Sequence, residues 1–159
     1  MKPLAKLYLE RADNELAQAE LLFQISNSPE LQQKLNLPQR YTFYSGTISH
    51  AYYAIFNAAK AMLAEENVKT STPNVHRKTY DAFEKYFVTS GKLDFKLLTI
   101  YKQLLIRAEE LLVIFKREKG KRGKFTYHQL PQANKEPAEQ SLKNANTFYK
   151  HINATLEST

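Results

Sequence analysis

The chain has 159 residues and no cysteine. That length suits one domain with its own core, and the missing thiols exclude a disulfide framework, a Cys-based zinc site and a cysteine nucleophile. Charged residues make up 25% and apolar ones 43%, as in ordinary globular chains, and the formal charge of +7 favours polyanions over acidic partners.

The first 13 residues contain Glu10 and Asp13 and no continuous apolar block, so no secretory signal is expected. A helical stripe starts here: Ala5, Leu9, Ala12, Leu16, Ala19 and Phe23 recur with 4-3-4-3-4 spacing. Pro3 suits a first helical turn, and a helix over 3–26 is predicted. Ser28 followed by Pro29 and Glu30 predicts a cap and a short helical turn through Leu35, broken by Pro38. The same spacing returns at Tyr44, Ile48, Ala51, Ile55, Ala58 and Met62, predicting a helix over 42–66. This helix is apolar on more than one side, so it is expected at the centre, with its alanines permitting close approach.

Pro73 separates it from a shorter stripe, His76, Tyr80, Phe83 and Phe87, on a helix over 75–89 with Asn74 as its expected N-cap and Gly91 as its stop. Asp94 is placed to cap a helix over 94–119, striped by Leu97, Tyr101, Leu104, Ala108, Leu111 and Phe115 and ended by Gly120 and Gly123. The last helix, 136–156, carries Ala138, Leu142, Ala145, Tyr149, Ile152 and Leu156. No segment alternates as a strand does. An all-α, antiparallel up-and-down bundle of about five helices, one domain over 1–159, buries these stripes most simply. Apolar runs such as 111–115 fall far short of the ~20 residues that span a bilayer, so a cytoplasmic protein without a membrane partner is expected.

Charge is concentrated in one place. Residues 116–124 hold six basic side chains (Lys116, Arg117, Lys119, Lys121, Arg122 and Lys124) against Glu118 alone, which is +5 of the chain's +7. At a helix C-terminus such cations complement the macrodipole. They read either as a solvated helix end or as a phosphate-binding patch for RNA or DNA. Tyr127, with Phe125, adds a ring able to stack on a base. Arg122 and His128 are separated by five residues. A guanidinium clamps a phosphate and offsets charge building on it, and an imidazole passes a proton near neutral pH.

The other histidines read as structural. His50 is expected to be packed or at the surface, His76 to be partly buried and hydrogen-bonded, and His151 to sit beside Ile152. No two histidines share a metal-ligand spacing, and there is no HExxH, P-loop or GxGxxG. No metal and no cofactor are expected. Glu65–Glu66 and Glu109–Glu110 read as exposed helix faces.

The run 45–63, Ser-Gly-Thr-Ile-Ser-His-Ala-Tyr-Tyr-Ala-Ile-Phe-Asn-Ala-Ala-Lys-Ala-Met-Leu, resembles the central helix of HEPN domains. Thr72-Pro-Asn-Val-His76, Ala82-Phe83 and the 87–94 stretch through Gly91 and Asp94 are similar to the segment that follows it, and the first and last helices fit as well. The resemblance implies a HEPN-like bundle that dimerises. It also implies a metal-independent ribonuclease built on an Arg-x4–6-His motif, with two subunits sharing one cleft, and a toxin paired with a small nucleotidyltransferase antitoxin. Arg122 and His128 match that motif as the catalytic pair, with Lys119, Lys121, Lys124 and Tyr127 as RNA contacts. Gly123 stands where catalytic members carry Asn, Asp or His, and Leu130 where some antitoxins modify a tyrosine. The branch this chain resembles most often keeps an Arg followed closely by an Asp-Tyr pair, often without the histidine. Two registers therefore stay open. Arg107 has the expected distance from Gly91 but is followed by Leu111-Leu112; Arg122 is followed by Thr126-Tyr127. The chain thus reads as a HEPN-type RNA-binding protein and endoribonuclease, or as a non-catalytic module that binds a nucleotidyltransferase or a nucleotide.

Overall fold

α1 (Pro3–Asn27) carries Pro3 in its first turn and buries Ala5, Leu9, Ala12, Leu16 and Ala19, the predicted stripe. The computed structural model, which describes residues 1–39, 41–119 and 134–158, follows it with α2 (Pro29–Lys34), α3 (Tyr44–Glu65), α4 (Val75–Phe83), α5 (Phe95–Lys119) and α6 (Lys135–Glu157). Every regular element among the described residues is helical.

Polar side chains fix the first corner. Ser28 ends α1 and caps α2, its Oγ accepting from the Leu31 N–H at 3.2 Å. Gln32 is buried, and its Nε2 donates to the carbonyls of Ile25 (2.9 Å) and Tyr41 (3.2 Å). The Phe43 N–H donates to Ser26 Oγ at 2.7 Å, joining the end of α1 to the start of α3. At the opposite ends, the Lys2 N–H donates to Glu65 Oε2 at 2.7 Å.

α3 is the central element, packed most extensively on α1, then on α6, and also on α5 and α4. It buries Ala51, Ala54, Ala58, Ala59 and Ala61 together with Ile48, Ile55 and Leu63. The small side chains let α1 come close: a Cβ on Gly46 would stand 2.8 Å from Leu22 Cδ1. Each large side chain buried here contributes about 1.5–3 kcal/mol of transfer free energy.

Two helices stop on asparagines. Asn36 (φ 55°) and Asn67 (φ 60°) take the left-handed conformation just past α2 and α3. The following amides, Leu37 and Val68, donate back to Gln32 O and Leu63 O at 2.8 Å each, the Schellman pattern. Asn74 differs from expectation. It precedes α4 with φ 60°, and its side chain makes no cap hydrogen bond, since a left-handed residue aims that side chain away from the first-turn amides. α4 then runs on as a π-helical turn (Glu84–Val88), closed by Thr89 N–H to Glu84 O at 2.8 Å. Asp94 caps α5 as expected, its Oδ1 accepting from the Lys96 N–H at 2.7 Å.

α5 buries Leu97, Tyr101, Leu104 and Leu111 from its predicted stripe and Leu98, Ile100 and Leu105 beside it. α6 keeps its predicted stripe at Ala138, Leu142, Ala145, Ile152 and Leu156, but Phe148 beside it is buried and Tyr149 only half so. Phe148 joins Tyr80, Phe83 and Tyr101 in the main core, with ring centroids 5.2–5.8 Å apart. A second, smaller cluster joins Ile48, Leu111 and Ala138. The predicted stops at Gly120 and Gly123 lie outside the described residues.

Candidate functional site

The basic run begins in the last turn of α5. Lys119 is the last residue of α5. Lys121, Arg122, Lys124, Tyr127 and His128 lie outside the described residues. Arg107 belongs to another place. It stands 12 residues before Lys119 on the same helix, about 18 Å along the axis. There it lines an open groove of about 490 Å³ with Gln103, Ile106 and Glu110 of α5 and Gln140 of α6.

The histidines on α3, α4 and α6 do not converge. His151 is exposed on α6. His50 Nδ1 meets Glu15 Oε2 at 2.6 Å and so ties α3 to α1. Among the described residues no three His, Asp or Glu side chains are placed to hold a metal ion.

His76 holds the most developed polar geometry. It sits in the first turn of α4, half-buried, with its ring 4.4 Å from Phe56 and 5.7 Å from Tyr52, centroid to centroid. Its Nδ1 lies 2.8 Å from Tyr52 Oη. The sequence predicts a partly buried, hydrogen-bonded histidine here, and the structure holds one through Nδ1. The sequence does not predict the cleft beside it. Ser49, Tyr52 and Tyr53 of α3, His76, and Leu105, Ala108, Glu109 and Leu112 of α5 enclose about 190 Å³.

Electrostatics in the cleft favour neutral groups. Burial pushes the Tyr52 hydroxyl far above the ordinary tyrosine range, with neighbouring Tyr53 and the Glu109 carboxylate adding to the rise. Burial also holds the His76 imidazole below its usual value, and Lys60 lowers it further. Tyr52 is only 5% exposed, so its O–H needs an acceptor. The arrangement that supplies one has Tyr52 donating to Nδ1, which places the His76 proton on Nε2. Among the described residues Nε2 meets no hydrogen-bond partner.

The cleft does not hold a catalytic triad. A serine, a histidine and a glutamate line it, but Nδ1 is occupied by a tyrosine, and neither Ser49 nor Glu109 bonds the ring. A nucleophilic triad needs both of those bonds. What remains is aromatic faces, an aliphatic wall, one N–H donor and one carboxylate. The apolar outer side of α3 is the signal that was legible for Tyr52, Tyr53 and Phe56. Their meeting with positions 76 and 109 was not. No protein-family model matches the chain, and neither a curated protein nor a solved structure does.

Proposed function

We propose that this chain is a HEPN-type RNA-binding protein that acts as a homodimer and cleaves RNA without a metal. The observation that carries the reading is the delivery of the basic run by α5: the helix extends unbroken to Lys119, and Arg122 and His128 follow directly in sequence. The resemblance of 45–63 and 72–94 to HEPN segments supports the fold assignment. The pairing of Lys2 with Glu65 and of Ser26 with Phe43 supports an antiparallel, up-and-down order for α1 and α3.

In this reading Lys119, Lys121 and Lys124 neutralise backbone phosphates, and Tyr127 stacks on a base. Arg122 clamps the scissile phosphate. His128 relays a proton to or from the 2′-OH or the leaving 5′-oxygen, and dimer symmetry brings two such pairs into one cleft. Structured RNA incubated with the protein in chelator should be cut, while DNA, lacking the 2′-OH, survives. Arg122→Ala should cost ~10²–10³ in rate and His128→Ala ~10²–10⁴, with helicity and dimerisation unchanged. Replacing Lys119, Lys121, Arg122 and Lys124 by Ala should flatten the slope of log affinity against log salt by about 3. Cleavage that survives both single substitutions would assign the activity elsewhere, and light scattering of a monomer at tens of micromolar would remove the dimer.

Gly123 favours a second reading. Where catalytic HEPN members follow the arginine with a polar side chain, this chain has none. It would then be a non-catalytic module that binds a nucleotidyltransferase antitoxin. A stable nucleotidyltransferase partner in a pulldown, with RNA left intact by the purified protein, selects it.

A further inference from the structure

We propose that the cleft between α3, α4 and α5 seats a single nucleobase, guanine in preference to the others, between the Tyr53 ring and the aliphatic wall of α5. The proposal deepens the RNA-binding reading and rests on it only for the source of the base, an unstacked nucleotide of the bound strand.

Size argues first. About 190 Å³ is below the ~300–1,000 Å³ of pockets that enclose drug-sized ligands, so the cleft takes a planar ring system and leaves sugar and phosphate outside. Its walls suit such a ring. Tyr53 is 43% exposed although it stands among the packed rings of Tyr52 and His76. Leu112, 59% exposed, faces the same space from α5. Stacking on the exposed ring covers apolar surface that the fold leaves in water.

The polar groups select the edge. Glu109 offers two acceptor oxygens side by side, which matches the adjacent N1–H and 2-amino donors of guanine. Adenine offers a single amino group and uracil a single N–H. The Nε2–H of His76 adds a donor for a ring nitrogen or carbonyl. A cationic amine would also suit aromatic faces beside a carboxylate. Lys60 counts against it: its ammonium lies 5.7 Å from the Phe56 ring centroid, and its field already disfavours a proton on His76.

Position gives the phosphates a path. Glu109 repels them, so the backbone leaves away from it. Lys116 opens the basic run four residues after Leu112 on the same helix, about 6 Å further along its axis.

The test is titration of the full chain with GMP, AMP, UMP, ribose 5-phosphate and tetramethylammonium, read by calorimetry and by the ring resonances of His76. GMP should bind most tightly and move the His76 signals. Tyr53→Ala, at an exposed site that spares the fold, should weaken GMP roughly tenfold or more. Glu109→Ala should bring GMP down to the affinity of AMP. The Lys119, Lys121, Arg122 and Lys124 quadruple alanine variant should keep base binding. If that variant also binds RNA as the wild type does while GMP still occupies the cleft, the RNA reading fails and the base site stands. Equal binding of ribose 5-phosphate and GMP would overturn the site, as would tetramethylammonium displacing GMP at His76. So would unchanged GMP affinity in Tyr53→Ala.

Discussion

Tyr101 sits at the centre of the core with a hydroxyl that has no hydrogen-bond partner among the described residues. Its exposure is 0%, and burial pushes its pKa well above the ordinary tyrosine value. The ring itself is well used. Tyr80 meets it edge-on at 5.2 Å and 85°, Phe148 at 5.8 Å and 82°, and Phe83 lies 5.8 Å away. Tyr101→Phe keeps all three contacts and deletes only the orphaned O–H. An unsatisfied buried hydroxyl costs about 1–3 kcal/mol, so the variant should be more stable by that amount. For a chain of this size 1 kcal/mol moves Tm by about 2–4 °C, which predicts a rise of roughly 2–12 °C. Urea unfolding followed by helical circular dichroism should show a higher midpoint at unchanged slope. Tyr101→Ala, which removes the ring as well, should cost about 3–5 kcal/mol and so calibrates the assay. A Tyr101→Phe variant less stable than wild type by 1 kcal/mol would refute the reasoning, because the hydroxyl would then have to be bonded.

Two further perturbations probe the fold around the site. His76 is held below its ordinary pKa of 6.5 by burial and then by Lys60. Above pH 6.5 the ring is neutral in both folded and unfolded chains. Between 6.5 and the lower folded value the unfolded chain takes up the proton and the folded one does not, so stability falls as pH drops through that window. His76→Asn should flatten the dependence of the urea midpoint on pH between 7 and 5; an unaltered slope would place the titration on another group. Ile55→Asp or Ala58→Asp puts an unpaired carboxylate at a position with 0% exposure on α3. Each should cost several kcal/mol and collapse the helical signal at ambient temperature, whereas retention of the wild-type melt would contradict the central place of α3.

The sequence made the helices legible wherever one face had to be apolar. Ala5 to Ala19 on α1 and Ile48 to Met62 on α3 are buried as their spacing required. Ser28 and Asp94 cap as their side chains allow. The misses have physical causes. Asn36 and Asn67 end helices in the role that glycine usually fills, and asparagine is equally at home in loops, so the signal was ambiguous. Phe148, one position before Tyr149, is the ring the core takes in while Tyr149 packs at its edge, and spacing alone does not rank two adjacent aromatics. The π-helical turn at Glu84–Val88 leaves no mark in an apolar pattern, since Phe83 and Phe87 are buried on either side of its start. The cleft was the least legible feature. Positions 52, 76 and 109 each look ordinary on their own helix, and only tertiary packing brings them together. Arg122 and His128, readable from spacing and charge, lie outside the described residues.

These two candidate regions share one helix, and how that helix is held decides whether they act together. α5 packs on the main core through Leu97 to Leu105, with Ala108 against its edge. Leu111 then leaves that cluster for a smaller one with Ile48 of α3 and Ala138 of α6, bordered by Phe23 and Tyr44. That second anchor stands between Glu109 and Leu112, the last two residues to line the cleft, and just before the basic run at 116. It holds the cleft wall at Leu111 against α3 and α6. A base placed on Tyr53 and phosphates drawn to the helix end would therefore be positioned by one element. Among the described residues the small cluster buries three side chains. Loosening it should disturb polyanion binding and base binding in step while leaving the main core folded. That coupling is what a strand-binding surface needs, because a base and its neighbouring phosphate arrive joined by a covalent link of fixed length.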